Sequence, residues 1–119
     1  MIHQIDKFYK GNVITVHDAI TATTTSQPID CRGYNAVQIQ AILSTTQNWT
    51  FKVQGSMSRN GIYADCYELA NTGSMAAMSY QTNASKMFLF KGIPDWIKIV
   101  ATEDADGATA TVYVQPLNV

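Results

Sequence analysis

The sequence predicts an all-β fold: a single β-sandwich of about seven or eight strands, in jelly-roll or Greek-key order, with an extended N-terminal arm. Three observations carry this expectation. Apolar and polar residues alternate in short runs, most clearly in Trp49-Thr50-Phe51-Lys52-Val53-Gln54 and in Ala110-Thr111-Val112-Tyr113-Val114-Gln115. Successive side chains of a strand point to opposite faces, so such runs bury one face and wet the other. Gly, Pro and Asn break the chain at roughly ten-residue spacing, and almost nothing in it has a helical period.

The elements follow in order. Residues 1–10 carry no pattern, Val13–Val16 reads as a short strand, and the Thr-rich run Ala19–Gln27 suits an edge strand or a linker. Residues 1–24 are therefore expected to form the arm, which could order on assembly by adding a strand to a neighbouring subunit, and residues 25–119 the sandwich. Pro28 lacks an amide donor and marks an edge or entry position. Val37, Ile39, Ala41 and Leu43 share a face, Ser44–Asn48 turns, and Trp49–Gln54 runs back, which reads as a long hairpin. Arg59-Asn60-Gly61 is expected to be a tight turn with the positive φ that Asn-Gly tolerates, leading into a strand over Ile62–Leu69. Asn71–Ser85 has weak pattern and fits an irregular strand or a loop. Lys86–Phe90 is apolar on both faces, as in a central strand or one covered by a partner. Gly92–Asp95 turns the chain into Trp96–Thr102, and Asp104–Gly107 closes a last hairpin with Ala108–Gln115.

Composition narrows the function classes. Hydrophobic residues are 46% of the chain but charged residues only 14%, against roughly a quarter in typical soluble proteins. Thr, Ser, Asn and Gln supply the polarity, and uncharged groups cost less to desolvate against another protein or a sugar. The basic residues are scattered and the net charge is −1, so the electrostatic footprint of nucleic-acid binding is missing. No apolar run approaches the roughly 20 residues that span a bilayer, and Met1–Lys7 has no signal-peptide character, so synthesis in a host cytoplasm is expected. Cys31 and Cys66 read as free thiols, and with His3 and His17 they lack zinc-site spacing.

Catalytic chemistry has no visible seat. Asp104-Ala105-Asp106-Gly107 resembles the start of a calcium loop but lacks its final Glu and flanking helices, and Asp-Gly between alternating strands is a hairpin turn. His17 and Asp18 are adjacent, so on a strand they face opposite ways. There is no nucleophile elbow and no phosphate loop. A non-enzymatic chain with no cofactor is expected. Trp49 is in phase with Phe51 and Val53 and belongs to the core, whereas Trp96 is out of phase with Ile97 and Ile99 and reads as a corner plug or an exposed anchor. Tyr113, opposite the inward Val112 and Val114, is the leading candidate for an outward contact. Trp96, Phe88, Phe90 and Tyr34 complete the candidate interface set.

Phe88-Leu89-Phe90-Lys91-Gly92-Ile93-Pro94-Asp95-Trp96-Ile97-Lys98-Ile99, followed by Gly107-Ala108-Thr109-Ala110-Thr111-Val112-Tyr113-Val114, resembles the closing strands of small tailed-bacteriophage virion proteins. Ile29-Asp30-Cys31-Arg32-Gly33-Tyr34 and Phe51-Lys52-Val53-Gln54-Gly55-Ser56 agree in style, so that the resemblance spans residues 28–116. It implies a virion structural protein of the capsid decoration or cement type, bound in many copies to the major capsid protein or other virion proteins, with self-association. The alternative is a receptor- or carbohydrate-binding knob or tail-fibre module, using outward Tyr and Trp to stack on a glycan.

Overall fold

The computed structural model describes residues 10–119. Its strands are β1 (Ile14–Ile20), β2 (Thr24–Thr25), β3 (Ile29–Asp30), β4 (Ala36–Leu43), β5 (Trp49–Ser56), β6 (Ala64–Asp65), β7 (Tyr67–Leu69), β8 (Met75–Ala77), β9 (Ser79–Thr82), β10 (Lys86–Lys91), β11 (Trp96–Glu103) and β12 (Ala110–Leu117). They form an all-β sandwich. One sheet has the order β1-β12-β4-β10. The other is centred on β11 and β5, with β2 and β3 along the far edge of β11 and β6 and β9 along that of β5. All these pairs are antiparallel, and β7 with β8 forms a separate hairpin.

Residues 1–9 of the expected arm lie outside the described residues. From Lys10 the chain is part of the first sheet: Lys10 bridges Leu117, Gly11 N–H donates to the Pro116 carbonyl at 2.7 Å, and β1 pairs along β12. The first strand is thus longer than Val13–Val16, and Thr24–Thr25 is an edge segment on β11.

The inward faces follow the alternation. Val37, Ile39 and Ala41 of β4 and Ala110, Val112 and Val114 of β12 meet Trp49, Phe51 and Val53 of β5 and Ile97, Ile99 and Ala101 of β11. Full burial of one such aliphatic or aromatic side chain contributes about 1.5–3 kcal/mol, so these rows dominate the core. The Trp49 and Phe51 rings lie nearly parallel, with centroids 6.4 Å apart.

Two expected hairpins are instead crossovers. β4 bonds β10 and β12 while β5 bonds β11, β6 and β9, so Ser44–Asn48 carries the chain from one sheet to the other. Asp104–Gly107 does the same between β11 and β12. A hairpin would lay Val37, Ile39 and Ala41 beside Trp49, Phe51 and Val53 on one face with nothing opposite; crossing over packs the two rows against each other.

Lys86–Lys91 is an edge strand, not a central one. Among the described residues it pairs as a strand with β4 alone, with Phe88 opposite Ile39 and Phe90 opposite Val37. The Ile62–Leu69 strand is broken at Cys66, whose N–H donates to the Val53 carbonyl at 3.0 Å and whose carbonyl accepts from Met78 N–H at 2.9 Å. Gly55 permits that arrangement: a Cβ there would stand 2.3 Å from Pro94 Cγ and 2.7 Å from Cys66 Sγ. The Arg59–Gly61 turn forms, but Gly61 is not among the positive-φ residues, and its N–H donates to Ser58 O at 3.2 Å. The weakly patterned Asn71–Ser85 segment contains β8, β9 and the fully buried Met78.

Candidate functional site

The two outward faces of the sandwich differ in chemistry. On the β11–β5 sheet the outward face includes charged groups that are tied to their neighbours. The Arg32 guanidinium bonds the Asp30 carboxylate through two nitrogens, at 2.9 and 2.7 Å. That hydrogen bonding holds the Asp30 carboxyl below its usual range. Lys52 pairs with Asp65 at 3.2 Å, and Gln54 donates to the same carboxylate. Gln54 and, first among the causes, its amide hydrogen bond keep Asp65 ionised to lower pH than usual. Thr50 and Gln81 both donate to Asp104.

The outward face of the other sheet is built from β4 and β12, neither of which contains a charged residue, and from Met87, Leu89 and, at the end of the strand, Lys91 of β10. Cross-strand register assembles it in rows. Met87, Gln40, Tyr113 and Thr15 lie side by side, as do Leu89, Gln38 and Gln115, while Ile42 stands beside Thr111. Met87 is 58% exposed and Val13, which flanks the sheet, 63%. Ile42 and Leu89 are also exposed. Between them runs a groove of about 60 Å³ lined by Val13, Gln38, Gln40, Met87, Tyr113 and Gln115. Small-molecule pockets hold roughly 300–1,000 Å³, so this groove has room for no more than about one side chain. Glutamine amides both donate and accept, which suits a surface that must satisfy another protein's polar groups without desolvating a charge.

Of the residues singled out from sequence, only Tyr113 lies in this groove. Phe90 is buried in the core and Phe88 points inward beside it, half-buried, with its ring stacked 4.9 Å from Tyr80 and edge-on to Phe90 at 5.4 Å. Both are packing residues, because the register of β10 on β4 turns 88 and 90 inward and 87 and 89 outward. Trp96 lies on the opposite, charged face and is no corner plug: the Arg32 and Arg59 guanidinium carbons sit 5.0 and 5.9 Å from its ring centroid. Tyr34 is half-buried, and its ring would meet a Cβ at Gly11 at 3.3 Å. Met87 and Leu89 fall in the Lys86–Phe90 run already read as a strand that a partner could cover, whereas Gln38 and Gln40 of the groove were not singled out. For Met87 and Leu89 the period-two pattern of β10 was the available signal, but an apolar residue at every position hid it.

Among the described residues no three His, Cys, Asp or Glu side chains are arranged to hold a metal ion, and no helix is long and apolar enough to cross a membrane. Cys31 and Cys66 are free thiols. Burial, followed by the nearby Asp30 and Asp95 carboxylates, pushes the Cys31 thiol up to about 12. Burial likewise raises Cys66.

No protein-family model and no curated protein matches the chain. Solved structures do. SPBc2 prophage-derived protein YomS aligns with a TM-score of 0.61 at 15% identity, over 89% of this chain and 92% of that one. The likeness is one of fold. PBSX exported protein XepA aligns with a TM-score of 0.66 at 13% identity, over 90% of this chain, which spans only 38% of the length of XepA. The sandwich is therefore a nearly complete match to YomS and to one part of XepA.

Proposed function

We propose that this chain is a non-enzymatic structural protein of a tailed-phage particle, of the capsid decoration or cement kind, acting by protein–protein contact. The observation that carries the reading is the outward face of β12 and β4, which carries no charged side chain and continues through Met87 and Leu89 of β10 until Lys91 at its end, on a chain whose other face holds its ion pairs. The fold shared with YomS, which is named as prophage-derived, supports the phage setting. A protein that binds the assembled shell better than its free subunits stabilises the shell by RT ln(1 + [L]/Kd), with no chemistry required. The partners on this reading are the major capsid protein or other virion proteins, reached after synthesis in the host cytoplasm.

A glycan-binding knob is the weaker reading. Sugar rings stack on open aromatic faces, and Trp96 already has Arg32 and Arg59 against its ring. Quantitative mass spectrometry of purified particles tests the proposal by copy number. Hundreds of copies in simple ratio to the major capsid protein support a decoration role; a handful would place the chain in neck, tail or fibre instead. Absence from particles, with the chain recovered outside cells, would overturn the virion reading and favour an exported product like the one XepA is named for.

A further inference from the structure

Resting on the reading of the uncharged sheet face as a contact surface, we propose that its occupant is a second copy of this chain, whose β7–β8 hairpin seats on it head to tail. The register of Tyr67 with Ala77 and of Leu69 with Met75 puts these four residues on one side of the hairpin. That side is open: Tyr67 is 53% exposed, Leu69 71% and Met75 61%. The other side faces the body, where the Glu68 carboxylate accepts the Lys91 N–H at 3.1 Å. The hairpin base is fixed by the buried Met78 and by the bonds joining Cys66, Met78 and Val53. The hairpin thus presents an apolar side to solvent while its base is tied to the body.

Electrostatics selects where it docks. The hairpin's open side carries no charge, and neither does the groove of Gln38, Gln40, Met87 and Tyr113. Docking on the β11–β5 face would instead desolvate Arg32, Lys52, Asp30 and Asp65, each already paired. A two-fold dimer that packed groove face on groove face would leave Tyr67, Leu69 and Met75 of both copies in water. One head-to-tail contact covers both apolar surfaces, and such a heterologous contact repeats until it closes a ring or grows a filament.

Native mass spectrometry on the full chain at about 100 μM, above the micromolar affinity of a modest interface, reads the assembly directly. The expected result is a species of three or more copies. Leu69→Glu with Met75→Glu spoils the hairpin, and Met87→Glu spoils the groove; each should weaken association about 1,000-fold or more and give monomer at that concentration. All three residues are exposed, so an unchanged circular dichroism melt confirms folding. Mixing the hairpin variant with the groove variant leaves one intact hairpin and one intact groove, and should yield a 1:1 pair and nothing larger. A monomeric wild type at that concentration, a wild-type assembly of two copies, or a mixture that forms no pair would overturn the proposal. Copy number in particles is a separate readout, so failure here is distinguishable from failure of the virion reading.

Discussion

The Nε2–H of His17 donates to the carbonyl oxygen of Ile99 at 2.9 Å, bonding the edge strand of one sheet to the central strand of the other. Ser26 meets the same residue, its N–H donating to Ile99 O and its hydroxyl oxygen accepting Ile99 N–H, both at 2.9 Å. Two register shifts in β1, between Thr15 and His17 and between His17 and Ile20, bring His17 opposite Val112 and into the sandwich. The imidazole is 4% exposed, so its bond cannot be replaced by bulk water. His17→Ala should lower stability by about 1–3 kcal/mol, read as a shift of the urea midpoint. An unchanged midpoint would show that the clasp contributes nothing.

The second of those shifts leaves Ala19 with φ +48°, in the left-handed region where a Cβ crowds the following carbonyl. Its N–H donates to Thr111 Oγ1 at 3.0 Å, which keeps the bulge in place. Removing the Cβ relieves about 1–2 kcal/mol, against about 0.5–1 kcal/mol of added chain entropy in the unfolded state. Ala19→Gly should therefore be neutral to stabilising, by up to about 1 kcal/mol, whereas Ala19→Val should destabilise. Thermal midpoints in that order check the assignment; a clear loss on Ala19→Gly would count against it.

Phe88 separates packing from contact. Its ring meets Tyr80, Phe90 and Phe51, with centroids 4.9, 5.4 and 6.3 Å away. Phe88→Ala should cost about 2–3 kcal/mol of stability, somewhat less than a fully buried Phe because the residue is half-buried. The neighbouring Met87→Ala, on the outward side, should change stability by less than about 0.5 kcal/mol. Equal effects of the two on a denaturant curve would contradict the inward and outward assignment of β10.

Cys31 makes the fold sensitive to alkali. Its thiol is held up at about 12 by burial and by Asp30 and Asp95, against an ordinary value of 9.0. The folded state therefore keeps a proton that the unfolded chain gives up earlier. This contribution to stability is complete below about pH 9 and is lost as pH rises toward 12. Urea midpoints measured from pH 8 to 11 should fall, and Cys31→Ala should flatten part of that fall. In the native state at pH 8, Cys31 should resist alkylation that readily modifies the unfolded chain. A midpoint slope identical in Cys31→Ala would remove the thiol from the explanation.

The sequence alone determined which side of the alternating strands is buried. Trp49, Phe51 and Val53, and Val112 and Val114, were legible as core because a period of two encodes the side on which a residue lies. Tyr113 was legible as outward for the same reason. Only the tertiary structure decided which strands are neighbours. Alternation reads identically in a hairpin and in a crossover between sheets, so β4–β5 and β11–β12 could not be distinguished by pattern. Lys86–Phe90 carried no alternation at all, and its place at an edge, with Phe88 and Phe90 in and Met87 and Leu89 out, came from its register on β4. The separation of a charged face from an uncharged one has the same origin. Residues from Asp30 to Asp104 are gathered on one face, and Gln38, Gln40, Met87 and Tyr113 on the other, by hydrogen bonds between segments far apart in the chain. Such pairings depend on the closure of the whole sandwich and leave no local trace in the sequence.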